Sequence, residues 1–381
     1  MLKDIGLKLC FFVLGIIHLP WKIWRRKEFK PHKAKGILVL SMYSGLGNII
    51  MLTPFLKSVK RSMPWIHLAV LVGNSTAGEV MGRLYFVDEI LIFNAPGKKI
   101  REGIRFFIKE ITPRGFDLAI LPFVESAGHS SLWTFMARIP YRISYNKGIY
   151  GFLDTFTLKP EYGVHEVEQN LKIASFLGAD TMNRELSLYP DRDDLLFARD
   201  YFFRKELSCL DRVIGIHPGA NNGLIEKRWP IQKFAELADR LSAESGARVI
   251  FFVGPDDGSL MEKLKEFSKY KHLYVHGRNI HEVAALIRRC RLFISNDSGL
   301  MHVACAMRVP VVSLFGPTLP WKNSPWGVKH VLIRKELRCS PCYRRPPINC
   351  QDVRCMKLIE TDGVFKAVES MLSDIRGKRV C

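Results

Sequence analysis

The residues that could do chemistry cluster in turns that follow short apolar runs. The turn SGLGN, at 44–48, lies between ILVLSMY and the helix-like IIMLTPFLKSVKR. A second turn follows RLFIS directly and contains Asp297, Ser298, Gly299 and His302. Backbone N–H groups at the start of a helix lack intrahelical partners, so this second turn is suited to a phosphate or diphosphate. An N-cap aspartate beside a core histidine would give the same pattern.

A third polar turn, HPGANNGLIEKRWP, follows the apolar run VIGI in the same half of the chain. Gly219 and Ala220 are small enough to let a ligand approach the backbone closely. Lys227 offers a compact positive charge for a phosphate. A solvated basic loop is the alternative interpretation, but the position of this turn after a strand favours a ligand.

The elements that must position these turns alternate between short β-branched runs and helical periodicity. This alternation predicts parallel sheets covered by helices, and it restarts after the polar stretch YPDRDDLLFARDYFFRKELSCLDR. The predicted fold class is therefore α/β with two Rossmann-like domains, in which ligands bind at the carboxyl ends of the strands. The predicted organisation is an N-terminal segment over 1–35, a first domain over 36–190, a second over 191–335, and a Cys-rich tail with a helix over 336–381.

The charge balance and the N-terminal segment indicate an anionic partner. Lys and Arg number 57 against 37 Asp and Glu, giving a net charge of +20. No zinc-finger, RRM-like or bZIP signature is present, so a membrane surface or a phosphorylated ligand is favoured over nucleic acid. The apolar run Leu9–Ile17 is shorter than the ~20 residues that span a bilayer. Trp21, Trp24 and the basic residues 25–27 instead suit an interfacial helix, although a helix packed on the protein itself is the alternative.

Three stretches of this sequence together resemble glycosyltransferase family 9, the bacterial heptosyltransferases of the lipopolysaccharide inner core. They are Gly47–Pro54, Pro218–Ala238 and Asp297–Thr318, and the resemblance covers about residues 36–375. It implies a GT-B fold, in which two Rossmann-like domains face each other across a cleft. It also implies that the N-terminal domain binds the acceptor, that the C-terminal domain binds a nucleotide-diphosphate sugar, and that transfer occurs with inversion and without a required metal ion.

The resemblance also implies roles for single residues. Lys227 would meet the donor diphosphate, and the backbone of Ser298 and Gly299 would cradle its phosphates. Asp297 would bind sugar hydroxyls, and His302 would line the same site. The turn GPDDG falls where the family places an acidic residue on the ribose, and the choice there stays open between Asp256 and Asp257.

The chain departs from the family pattern at Asn48, where the family carries the aspartate proposed as general base. An amide cannot accept the acceptor's proton at neutral pH. We expect Asn48 at the N-cap of the following helix, where it would orient the acceptor. Glu125 and then His129, both in the loop after FDLAIL, are the candidates for the base. The alternatives are that stabilisation of the departing diphosphate carries the reaction, or that the chain is a poor catalyst.

Four cysteines near the C-terminus suggest a structural metal. Their thiols could bind zinc in a tetrahedral site, although buried or redox-active thiols would also fit the irregular spacing. The four residues are Cys339, Cys342, Cys350 and Cys355.

The leading hypothesis is an inverting glycosyltransferase at the cytoplasmic face of the inner membrane. It would transfer heptose from ADP-heptose to a lipopolysaccharide core or a related lipid-linked glycan, and it would need no cofactor for catalysis. One alternative keeps the fold and uses another nucleotide sugar. The other is a non-catalytic nucleotide-sugar-binding scaffold that lacks the base at Asn48.

Overall fold

The chain folds into two compact units. The computed structural model describes residues 24–94, 100–122, 129–145, 150–208, 210–220, 222–254, 257–342, 350 and 352–375. The first unit comprises Met1–Ser44 and Met51–Arg184, and the second comprises Gly45–Ile50 and Glu185–Cys381. The turn SGLGN is thus divided, because the residues from Gly45 to Ile50 cluster with the second unit.

The first unit is built on a six-stranded parallel sheet. Its strands are β1 Gly36–Ser41, β2 His67–Val72, β3 Glu89–Ile92, β4 Leu118–Ile120, β5 Tyr141–Ser144 and β6 Phe156–Thr157. They follow the order β3-β2-β1-β4-β5-β6. The helices that follow these strands are α1 Leu46–Ser62, α2 Ser75–Gly82, α3 Ile100–Phe106, α4 Ser130–Met136 and α5 Glu166–Phe176. Every residue of β1 is buried, which is the pattern of a strand covered on both faces.

Trp133 is the largest side chain of the core on one face of this sheet. It is fully buried in α4 and donates its indole N–H to the carbonyl of Ile100 at 3.1 Å. A Cβ at Gly103 of α3 would lie 2.0 Å from the Trp133 ring. Since no side chain fits there, the glycine permits α3 and α4 to pack closely beside the sheet.

The second unit repeats the same architecture. Its strands are β7 Val213–His217, β8 Arg248–Phe252, β9 Leu273–Val275, β10 Leu292–Asn296, β11 Val311–Phe315 and β12 His330–Arg334. Their order is β12-β11-β10-β7-β8-β9, again parallel throughout. The helices are α6 Arg192–Arg204, α7 Ile231–Ser245, α8 Gly258–Phe267, α9 Ile280–Arg288, α10 Gly299–Ala306, α11 Pro320–Asn323, α12 Arg354–Lys357 and α13 Thr361–Asp374.

Both sheets share one topology when their strands are counted from the start of each unit. That order, 3-2-1-4-5-6, is the doubly wound order of dinucleotide-binding folds. In such sheets ligands bind beyond the carboxyl ends of the two strands where the order reverses. These strands are β1 and β4 in the first unit, and β7 and β10 in the second. The predicted α/β class with two Rossmann-like folds is confirmed.

The C-terminal segment packs on the second unit. Val364, Val368 and Met371 of α13 share a buried apolar cluster with Phe234 and Leu237 of α7. This segment also contacts the loop that opens α7, because Trp229 donates its indole N–H to the carbonyl of Ile359 at 3.0 Å. The tail thus supports the residues just after Lys227.

Part of the predicted membrane segment lies outside the described residues, which begin at Trp24. The described part packs on the first unit, where Arg26 donates from Nε to the carbonyl of Thr155 at 2.7 Å. Phe29 contacts three aromatic rings, those of Tyr141, Phe156 and Phe176. Trp24 itself stays 53% exposed. Over the described ranges no helix is both long and apolar enough to cross a membrane.

Candidate functional site

Asn296 joins the two loops that meet at the reversal point of the second sheet. Its side chain is fully buried at the end of β10. Its amide donates to the carbonyls of Pro218 and Gly219 at 2.9 and 3.1 Å, and its oxygen accepts from the backbone N–H of Trp229 at 3.1 Å. Asn296 is not among the residues predicted from the sequence. The signal that could have identified it is a polar side chain that closes an otherwise apolar strand.

Lys227 and Asp297, predicted separately as ligand-binding residues, form an ion pair. The Lys227 Nζ lies 2.9 Å from Oδ2 of Asp297, and the two side chains are only 12% and 6% exposed. Low exposure strengthens the attraction between opposite charges. The backbone of Asp297 is held by the neighbouring strand, since its N–H donates to the carbonyl of Leu314 in β11 at 3.2 Å. The pair therefore brings a cation and a carboxylate to the carboxyl edge of the sheet.

The start of α10 lies directly beyond this pair. Ser298 is its N-cap residue, with extended backbone angles, but the Ser298 side chain does not cap the helix. Its hydroxyl lies 2.8 Å from the hydroxyl of Ser295, which donates to the carbonyl of Asn296 at 2.8 Å. The Ser298 hydroxyl is thus turned towards the strand. The first-turn N–H groups, including that of Gly299, are consequently not bonded to this side chain.

The SGLGN turn contributes Leu46 and Gly47 to the same unit. A Cβ at Gly299 would lie 2.9 Å from Cβ of Leu46, and a Cβ at Gly47 would lie 2.7 Å from Cδ2 of the buried His302. Both glycines are needed for this close packing. His302 therefore lies against the glycine turn as well as on α10.

Asn48 is not the N-cap residue that the sequence analysis predicted. Helix α1 begins at Leu46, so Asn48 is its third residue. The carbonyl of Gly45 accepts from the N–H of Ile49 at 3.1 Å, because Gly45 already turns the chain into the helix. Asn48 is partly exposed.

Asp257 braces the loop after β7. Its Oδ1 accepts from a terminal nitrogen of Arg228 at 2.9 Å, and the same nitrogen donates to the carbonyl of Ala220 at 3.1 Å. A Cβ at Gly219 would lie 2.6 Å from the other oxygen of Asp257. Asp257 is thus engaged in holding the loop, and Arg228 is a second positioning residue that the sequence analysis left without a role. Asp256 lies outside the described residues.

His217 is a buried neutral imidazole behind the same loop. Its Nδ1 lies 2.8 Å from the carbonyl of Phe252. A carbonyl can only accept, so Nδ1 carries the proton and Nε2 is left as an acceptor. Burial lowers the pKa of His217. The carbonyl of Phe252 and the carboxylate of Asp257 raise it, but by less. The imidazole is therefore uncharged near neutral pH.

His129 is the described member of the predicted pair of base candidates. Glu125 lies outside the described residues. His129 immediately precedes α4, with its ring 5.9 Å from that of Trp133 and 5.5 Å from that of Tyr150. Partial burial lowers the pKa of His129, so the ring is neutral at physiological pH. Its Nδ1 is buried, and no hydrogen-bond partner for it lies among the residues described.

Asp154 is a further buried carboxylate beside α4. It accepts from the hydroxyls of Ser131 and Ser144 at 3.0 and 2.6 Å and is fully buried. These contacts make it a fixed part of the core near the start of α4, where it positions the helix that follows His129.

The predicted zinc cluster finds no support. Within the part of the chain that the structure describes, which includes all four cysteines, no group of three or more His, Cys, Asp or Glu residues could hold a metal ion. Cys355 is buried, and burial, with smaller contributions from the neighbouring thiols, raises its pKa to about 11. A Cβ at Gly316 would lie 2.9 Å from the Cys355 sulfur, so this cysteine is a packing residue behind the turn that follows β11.

Comparison with known proteins identifies the family of this chain. The family model described as "Glycosyltransferase family 9 (heptosyltransferase)" matches residues 104–351. The chain belongs to glycosyltransferase family 9, as the sequence motifs predicted. This result establishes the class of enzyme as a glycosyltransferase.

The sequence identity to individual relatives is modest. Lipooligosaccharide heptosyltransferase 2 of Campylobacter jejuni is 30% identical over 169 residues, which is 43% of this chain and 52% of that protein. The chain thus spans about half the length of that curated relative. The Veillonella parvula family 9 glycosyl transferase has a TM-score of 0.72 at 24% identity, covering 89% of this chain and 97% of that one. The E. coli ADP-heptose lps heptosyltransferase II has a TM-score of 0.68 at 22% identity, covering 89% of this chain and 99% of that one. At these identities the two structures establish the shared fold.

Proposed function

We propose that this protein is an inverting glycosyltransferase that transfers heptose from ADP-heptose to a lipopolysaccharide core or a related lipid-linked glycan. The observation that carries the proposal is the nearly buried Lys227–Asp297 pair, which lies at the reversal point of the second sheet and at the start of α10. The names of the related heptosyltransferases suggest the sugar, the nucleotide and the acceptor class. We assign donor binding to the second unit and acceptor binding to the first.

The donor diphosphate would bind at the start of α10. Its oxygens would accept from the backbone N–H groups of Ser298 and Gly299 and from the ammonium group of Lys227. As the bond from the anomeric carbon to the phosphate oxygen breaks, negative charge grows on the diphosphate. Groups fixed before the reaction stabilise this charge best. Asp297 would then be available to accept from sugar hydroxyls.

The loop after β7 would hold this arrangement in place. Arg228 and Asp257 fix the backbone at Ala220, and Asn296 fixes it at Gly219. Asp257 would consequently support the donor site through the loop, while Asp256 remains the other proposed contact to the ribose.

The acceptor hydroxyl must lose its proton as its oxygen attacks the anomeric carbon from the face opposite the diphosphate, which gives inversion. Asn48 cannot take this proton. We assign the proton to Glu125 or, as the second candidate, to His129; partial burial lowers the pKa of His129, so its ring is uncharged and can accept a proton. Asn48 would contribute a hydrogen bond that orients the acceptor.

Matched variants in a transfer assay test this assignment. With ADP-heptose and a delipidated core acceptor, Glu125→Gln should lower the transfer rate by roughly 10²- to 10⁴-fold, the usual contribution of a general base. His129→Gln is the competing variant, and His67→Gln is the control, because His67 is an exposed histidine of the same unit paired with Glu89. If the rate falls only in His129→Gln, the base is His129. If all three variants keep the wild-type rate, neither residue takes the proton.

A thermal-shift screen tests the donor class independently of transfer. ADP-heptose should raise the Tm more than UDP- or GDP-linked sugars do, and Asp297→Ala should remove that selectivity. A larger shift with another nucleotide sugar would support the same fold acting on a different donor. A shift with ADP-heptose but no transfer to any core acceptor would instead support a scaffold that has lost its base at Asn48.

We propose a peripheral location at the cytoplasmic face of the inner membrane. The net charge of +20 and the exposed Trp24 beside basic residues suit anionic headgroups. Removing residues 1–23 together with Trp24→Ala should then reduce binding to vesicles that contain anionic lipid while leaving transfer to a delipidated acceptor unchanged. Undiminished vesicle binding would contradict a role for this segment.

A further inference from the structure

The turn after β11 carries two polar atoms that no described residue satisfies. Thr318 is 1% exposed, and its hydroxyl oxygen is buried without a hydrogen-bond partner. Asn323, at the end of α11, has a buried side-chain oxygen in the same situation. Buried polar groups in folded proteins are nearly always paired, so each exception needs an explanation. Here two exceptions fall within six residues.

The backbone of this turn is held by the C-terminal segment. The carbonyl of Gly316 accepts from the hydroxyl of Ser340 at 2.7 Å, and the carbonyl of Pro317 accepts from the N–H of Cys342 at 2.9 Å. A Cβ at Gly316 would lie 2.5 Å from the sulfur of the buried Met356. The C-terminal segment thus fixes the turn from one side and leaves the Thr318 hydroxyl unpaired.

The turn lies at the same edge of the sheet as the ion pair. Strands β10 and β11 are neighbours, with Asn296 beside Leu314. Asp297 follows Asn296 and donates its backbone N–H to the carbonyl of Leu314. Thr318 lies three residues after the end of β11, and Ser298 lies two residues after the end of β10. Both turns therefore extend from the carboxyl ends of adjacent strands.

We propose that Thr318 and Asn323 bind hydroxyl groups of the sugar that the donor carries. This inference rests on the proposed function. A phosphate oxygen only accepts hydrogen bonds, and a side-chain amide oxygen also only accepts, so Asn323 Oδ1 does not suit a phosphate. A sugar hydroxyl both donates and accepts, and it can satisfy a threonine hydroxyl and an amide at once. The cationic Lys227 and the start of α10 already provide for the diphosphate.

The test compares ADP with ADP-heptose, because only the second carries the sugar. Thr318→Val keeps the shape and removes the hydroxyl, and Asn323→Ala removes the amide. In isothermal titration, each variant should bind ADP as the wild type does but bind ADP-heptose roughly 3- to 10-fold more weakly, the usual effect of one uncharged hydrogen bond. The control is Thr361→Val, because the buried Thr361 hydroxyl already donates to Glu236 at 2.7 Å. This control should keep the wild-type ratio of the two dissociation constants.

The Tm of the ligand-free protein gives a second readout. Thr318→Val should keep or raise the Tm, since it removes an unpaired buried hydroxyl, whereas Thr361→Val should lower it. An unchanged preference for ADP-heptose over ADP in both Thr318→Val and Asn323→Ala would overturn the inference and leave the proposed function intact. If the wild type binds neither ADP nor ADP-heptose, the proposed function fails and the inference fails with it.

Discussion

Replacing Lys227 with methionine should destabilise the protein as well as weaken donor binding. Methionine keeps much of the side-chain volume but leaves Asp297 nearly buried without the ammonium group 2.9 Å away. Breaking a fully buried pair by removing one partner typically costs about 3–5 kcal/mol. Because the two side chains keep 12% and 6% of their exposure, we expect a loss near the lower end, about 3 kcal/mol. For a folding unit of this size that corresponds to roughly 6–12 °C in Tm.

The assay is thermal unfolding of a four-member mutant cycle at low salt. Asp297→Asn should also lower the Tm, since it leaves the lysine without its carboxylate. The double variant Lys227→Met/Asp297→Asn should be more stable than the sum of the two single losses predicts, because neither buried charge remains. ADP-heptose should raise the Tm of the wild type but not that of Lys227→Met. Additive single losses, or a Lys227→Met protein as stable as the wild type, would refute the reasoning.

Two further predictions concern packing and pH. Gly316→Ala should lower the free energy of unfolding by about 1–3 kcal/mol, because the new Cβ would meet the sulfur of Met356 at 2.5 Å. Gly363→Ala in α13 is the matched control, since no neighbouring atom lies within 4 Å of its new Cβ. It should raise the free energy of unfolding by about 0.5–1 kcal/mol. Chemical denaturation measures both changes, and equal effects would contradict the packing argument. His217 has a lowered pKa in the folded state, so its contribution to stability is complete above about pH 6.5 and is lost as pH falls towards the lowered value. The Tm of His217→Gln should therefore fall less between about pH 7.5 and 5.5 than that of the wild type, and matching slopes would contradict the neutral state of His217.

The alternation of apolar runs and polar turns in the sequence was sufficient to predict the α/β fold and to place Lys227 and Asp297 in turns after strands of one sheet. Continuous apolar runs mark the buried strands of a parallel sheet, and a polar residue directly after each run must lie at its carboxyl edge. Lys227 and Asp297 were therefore predicted at one edge. Their pairing with each other depends on where the loop after β7 folds back, which no local pattern encodes.

Contacts between distant segments account for what the sequence did not reveal. Asn296, Arg228 and Asp257 form hydrogen bonds with segments distant in sequence, so these contacts are apparent only once the loops are placed. The predicted zinc site likewise finds no support among the described residues. Spacing shows that the thiols are near in sequence, but it does not show that the Cys355 sulfur packs in the buried space beside Gly316.

The bond between Trp229 and Ile359 has a consequence for how the protein is made. The two residues are 130 positions apart. At about 5–20 residues per second, the ribosome needs roughly 6 to 26 s to travel from one to the other. Throughout that interval the loop that carries Lys227 is not yet held by the C-terminal segment, and the indole N–H of Trp229 lacks the carbonyl of Ile359. A chain that has not yet reached Ile359 therefore lacks this hydrogen bond to the loop that carries Lys227, and the second unit completes its packing late in synthesis.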